Sequence, residues 1–183
     1  MANSETIKRV DGRKPAQAGA RAPLGLAPEV AEEVRGLLAA TAGDLYTAYL
    51  QIKGHHWTVE GAEYRDLHLF LDEVAADLLK GVDEAAERLA DLGGTPPETA
   101  AAIQQAAAVE PTVDEARGRG VRARLTADRT LLQGVIENLR DRITRALDLR
   151  EHATRHLLDR LLARLEGHAG DMDAFLAPDS LTA

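Results

Sequence analysis

The chain contains no cysteine, which excludes disulfides and thiolate metal ligands and matches a reducing, cytoplasmic setting. Aromatic residues make up only 3% of it, with a single tryptophan. The apolar share therefore falls to Ala, Leu and Val, and helices are expected to dominate. No apolar run approaches the roughly 18 residues that a membrane span requires. The opening MANSETIKRVDGRK lacks the apolar segment of a secretory signal. What remains, over 183 residues, is one domain long enough to bury a core.

The formal net charge of −8 is unevenly spread. Within residues 1–26, Lys8, Arg9, Arg13, Lys14 and Arg21 outnumber Glu5 and Asp11. A basic arm thus precedes a body more acidic than the chain as a whole. Such an arm is a candidate contact for nucleic acid or a membrane surface, and its Pro, Gly and Ala content predicts disorder.

Helical periodicity begins near Ala27–Pro28, where proline suits the first turn. Val30, Val34, Leu37, Leu38, Leu45, Tyr49 and Ile52 give an apolar stripe that runs on to about Trp57. Glu60-Gly61 supplies a turn. A second helix is expected over about residues 64–92, with Leu67, Leu71, Val74, Leu78, Val82, Ala85 and Leu89 as its core stripe. Gly93-Gly94 and Pro96-Pro97 end it. A short helix fits between Pro97 and Pro111, at about residues 98–107. A third long helix is predicted over about 113–149, although Arg-Gly-Arg-Gly at 117–120 weakens its first turns, and a fourth over about 151–176. Four long helices with a long connection between the second and third read as an all-α, four-helix bundle.

The stretch from Gln51 to Gly94 carries the chemistry. On the second predicted helix His68 and Asp72 stand four residues apart, as do Asp83 and Glu87. At about 100° per residue all four fall on one face, within an arc of about 100°. Histidine with carboxylates suits iron, manganese or zinc better than a purely hard cation. Yet His68 and Asp83 are separated by roughly 22 Å along the helix, so one helix cannot offer both pairs to one metal. The four positions are symmetric about the midpoint between Asp77 and Leu78. An antiparallel copy related by a two-fold axis there would set His68 opposite Glu87 and Asp72 opposite Asp83, with Ala76 and Leu79 near the axis. That is the self-complementary form of an isologous contact. The plainer reading is a solvated charge face, in which Lys80–Glu84 and Glu84–Arg88 are ordinary i,i+4 pairs. Against it, Asp83 and Glu87 repel at that spacing by about a few tenths of a kcal/mol unless a cation offsets them.

The run His56-Trp57-x-Val59-x-Gly61-x-x-Tyr64-x-x-Leu67-His68-x-x-Leu71-Asp72, followed by Asp83-x-x-Ala86-Glu87-Arg88, resembles the signature of the Dps family, the mini-ferritins or DNA-binding proteins from starved cells. The resemblance implies a ferritin-like four-helix bundle over residues 27–177, with the short helix in the long connection and tails at 1–26 and 178–183. It implies a ferroxidase centre at a subunit interface: His56, His68 and Asp72 from one subunit, Asp83 and Glu87 from its two-fold partner. It also implies iron as the metal, hydrogen peroxide or dioxygen as oxidant, and storage of Fe(III) mineral in a hollow dodecamer that protects DNA. Trp57 would lie beside the iron and take up an oxidising equivalent, although packing in a core or interface would also explain it.

Other polar groups carry less. His152 and His156 have the spacing of two metal ligands on a helix, but no Glu follows the first to make an HExxH, and a polar surface is the favoured explanation. His55 is expected to face solvent. Glu166 and His168 are candidate auxiliary iron ligands. Asp148, Glu151 and Asp159 are candidates for an acidic iron-entry pore, although Arg150, Arg155 and Arg160 interleave with them.

Three readings of function follow. The first is a ferroxidase and iron store in the cytoplasm. The second is mainly a nucleoid protein that binds DNA through its basic arm, where a few phosphate contacts per subunit would be multiplied by assembly. The third is a single-chain di-iron or di-manganese enzyme, which ordinarily carries two Glu-x-x-His motifs; the sequence has none.

Overall fold

The computed structural model describes residues 24–112, 116 and 118–178. Among them are five helices: α1 (Pro28–Thr58), α2 (Tyr64–Asp91), α3 (Ala100–Ala106), α4 (Gly120–Asp148) and α5 (His152–Leu176). There is no strand among the described residues. The basic side chains at 8, 9, 13, 14 and 21 lie outside the described residues, as does most of the arm that carries them.

Two hairpins, α1–α2 and α4–α5, form a four-helix bundle, and the segment holding α3 crosses between them. The α1–α2 turn closes through Gly61 at φ +107°, a left-handed conformation that a side chain strains. In α2 the predicted stripe is buried at Leu67, Leu71, Val74, Leu78, Ala85 and Leu89, while Val82 is half-buried. These residues join Leu45, Ile52, Leu132, Leu139, Leu158 and Leu161 in the main core, or Val34 and Leu38 at its far end. Each fully buried leucine contributes about 1.5–3 kcal/mol relative to exposure.

The third long helix starts later than its periodicity predicts. Gly118 and Gly120 both adopt positive φ, at 73° and 86°, a left-handed conformation that interrupts a right-handed helix, so α4 begins only at Gly120. The short helix is capped by Thr99, whose hydroxyl accepts from the Ala102 N–H at 3.1 Å.

One side of α1 departs from the expected apolar pattern. Thr41, Asp44, Thr47, Gln51 and His55 are all buried, at steps of three or four residues that place them on one seam. Asp44 accepts from Arg142 at 2.7 Å, from Asn138 at 3.0 Å and from the backbone N–H groups of Ala108 and Val109 at 2.6 and 3.1 Å. A buried carboxylate fully engaged in this way fixes the crossing segment against α1 and α4. Gly43 lets that segment approach, because a Cβ there would lie 2.6 Å from the Ala107 nitrogen.

Candidate metal centre

His56 lies in the last turn of α1 and His68 in the second turn of α2, so the Gly61 turn folds the two histidines against each other. Their rings stack with centroids 3.9 Å apart and planes at 23°. Each ring is held by the other residue's backbone. His56 Nδ1 donates to the His68 carbonyl at 2.9 Å, and His68 Nδ1 donates to the His56 carbonyl at 3.0 Å. A carbonyl only accepts, so both Nδ1 atoms carry the proton. In each neutral imidazole the free lone pair is therefore on Nε2, the arrangement that orients a metal-ligating histidine.

Asp72 lies one turn beyond His68, with an oxygen 3.9 Å from His56 Nε2. That oxygen is taken by the Lys53 ammonium. The hydrogen bond from Lys53, against a smaller opposing effect of burial and with the Lys53 charge behind it, holds the Asp72 carboxyl below the ordinary aspartate range. Lys53 was not legible as a site residue, although it stands one helical turn before His56 and hence on the same face. His56, His68 and Asp72 are thus brought together, and among the described residues no three such side chains of one chain converge into a closed metal site.

Asp83 and Glu87 stand farther along the same outward face of α2. Both are exposed, as are Asp72, Ala76 and Leu79 between them and the histidines. Neither is in an ion pair with a described residue. The i,i+4 pairs expected at Glu84 do not account for the face: Glu84 turns to Arg160 and Arg164 of α5, at 3.1 and 3.4 Å, and Arg88 turns to Glu151 at 3.1 Å. Of the two cations in those pairs, Arg88 is thus drawn to the α2–α5 side. Asp83 and Glu87 are left as two unpaired like charges beside exposed apolar Leu79, 42% accessible.

Trp57 is 69% exposed, which removes core packing within the chain as its explanation. His55 corrects the expectation of a solvent-facing residue: it is 1% exposed, and its Nδ1 donates to Asp128. The reason is the polar seam of α1, whose period the apolar pattern did not reveal. Glu166 and His168 are engaged elsewhere, with Arg140 at 2.6 Å and Asp77 at 2.8 Å. Glu151 is buried, where it caps α5 through the Thr154 N–H, and Asp159 pairs with Arg155 at 3.2 Å. Capping and pairing thus account for two of the three pore candidates; Asp148 stays exposed, as do His152 and His156.

Residues 36–181 match the family model of the ferritin-like domain named Ferritin. The chain is 38% identical over 151 residues to the DNA protection during starvation protein of Halobacterium salinarum, covering 82% of each. It is 32% identical over 158 residues to a nutrient stress-induced DNA-binding protein of Synechococcus, covering 86% of this chain and 89% of that one. Among solved structures, an archaeal Dps homologue from Halobacterium salinarum superposes with a TM-score of 0.81 at 36% identity, over 93% of this chain and 97% of that one.

Proposed function

The chain belongs to the Dps branch of the ferritin-like family, and from that membership we propose that it oxidises Fe(II) and stores the Fe(III) product. Iron is the substrate and the cargo. His56, His68 and Asp72 of one subunit bind it together with Asp83 and Glu87 of a two-fold partner. The observation that carries this reading is the reciprocal hold on the two imidazoles, which turns both Nε2 lone pairs away from the backbone. Two neutral nitrogens hold the divalent ion, and carboxylates favour the trivalent product.

Two Fe(II) ions each give up one electron to one hydrogen peroxide, which takes up two protons and leaves as two waters; dioxygen is the slower alternative. Consuming peroxide and Fe(II) together suppresses hydroxyl radicals, and a closed dodecamer holds the mineral away from DNA. Trp57, next to His56 in the chain and exposed, would take up a stray oxidising equivalent.

The trans arrangement has a direct test. His56→Ala and Glu87→Ala are each expected to abolish fast Fe(II) oxidation. In a mixed dimer carrying one of each, one site has both lesions and the other has none, so part of the rate returns. A mixed assembly that stays intact and inactive would sink the shared site.

A second reading has support in the names of the relatives, which are DNA-protection and DNA-binding proteins, and in the basic residues Lys8, Arg9, Arg13, Lys14 and Arg21. In it the arm contacts phosphates and the assembly associates with the nucleoid.

A further inference from the structure

We propose that the buried pair His55–Asp128 is the positioning device that sets the rotation and register of the last turn of α1, and through it the metal-facing nitrogen of His56. The inference rests on the metal-centre reading above. Neighbouring residues on a helix point about 100° apart, so His55 faces inward while His56 faces the centre. His55 and Asp128 are 1% and 2% exposed. The two oxygens of Asp128 grip two successive turns of α1: Oδ2 accepts from His55 Nδ1, and Oδ1 accepts from Gln51 Nε2 at 3.0 Å. Gln51 is fixed in turn, since its Oε1 accepts from the Thr112 N–H at 2.8 Å.

A carboxylate that holds residues i and i+4 of one helix restrains both rotation about the axis and sliding along it. The sensitivity is high. A rotation of about 10° moves an atom about 6 Å from a helix axis by about 1 Å, whereas metal–ligand distances are set to within about 0.2 Å. An apolar residue would fill the same space more cheaply, because His55 Nε2 is buried with no hydrogen-bond partner among the described residues and such a group opposes folding. What histidine adds is a directional bond to Asp128.

The test uses the assembled full-length protein with Co(II) as probe, whose visible spectrum reports ligand geometry. In His55→Leu the Co(II) dissociation constant at the centre is expected to rise about tenfold, as for loss of a group that orients a ligand. The spectrum should change while the assembly stays intact. His55→Asn, whose amide can still donate to Asp128, is expected to recover most of the affinity. Wild-type affinity and spectrum in His55→Leu would overturn the proposal, whatever happens to the melting temperature, since a merely structural role moves only the latter. If His55→Leu does not assemble, Asp128→Asn is read in the same way. His68→Ala separates the two readings: Co(II) binding that survives it lies elsewhere and refutes the centre itself, not only its positioning.

Discussion

Asp72 and Lys53 form an ion pair within the cluster of histidines, so an incoming metal ion competes with an ammonium for the same oxygen. Lys53→Gln is therefore expected to lower the half-saturating Fe(II) concentration by about two- to fivefold, the range that an exposed ion pair supports. Steady-state oxidation over a range of Fe(II) checks this, and an unchanged or raised half-saturation would show that Lys53 assists binding. The pH dependence follows from the sign of the shift. The carboxyl of Asp72 is depressed in the folded chain, so it stays ionised as the pH falls into the ordinary aspartate range and is lost only below that. Without Lys53 the carboxyl protonates earlier, and the advantage of the variant should shrink towards acid.

Among the elements, α1 carries two jobs on two sides, an apolar stripe against α2 and a polar seam against α4 and the crossing segment. Its glycines differ accordingly. At Gly43 an added methyl meets the backbone of Ala106 and Ala107, which cannot swing aside, whereas nothing lies within 4 Å of the position at Gly36. Gly43→Ala is expected to destabilise by about 1–3 kcal/mol through overpacking. Gly36→Ala, in an exposed helix interior, should instead stabilise by about 0.5–1 kcal/mol. Urea unfolding of the two variants decides it, and equal effects would refute the close approach.

At the scale of the whole molecule, the exposed face of α2 is the proposed subunit contact. In the proposed shared site Leu79 would lie beside the two-fold axis, so Leu79→Glu would bring two new carboxylates together there. It is expected to break the dimer and abolish oxidation while helical circular dichroism persists. Sedimentation should then find a monomer of 19.7 kDa in place of the large assembly of the parent. A parent that is itself a stable monomer at micromolar concentration would defeat the shared site. Deleting residues 1–26 tests the arm separately: duplex DNA retardation should disappear and Fe(II) oxidation should not. Binding by the intact protein should weaken steeply with salt and ignore sequence, because the contacts are to phosphates. An intact protein that fails to shift DNA even at about 50 mM salt would leave the iron chemistry alone.

Periodicity alone determined the four long helices and their bundle, because an apolar face repeating every three to four residues has one economical burial. Spacing alone put His68, Asp72, Asp83 and Glu87 on one face of α2, because a helix converts residue number directly into angle. Neither could say where a polar side chain ends up once helices pack. His55 beside His56, and Glu84 beside Asp83, are alike in sequence character, yet His55 turns into the bundle and Glu84 towards α5, while His56 turns to His68 and Asp83 stays on the open face. Only the packing of α4 and α5 supplied their partners, Asp128 for His55 and Arg160 and Arg164 for Glu84. Those partners are distant in the chain, and no local pattern encodes a contact that forms only when two helices meet.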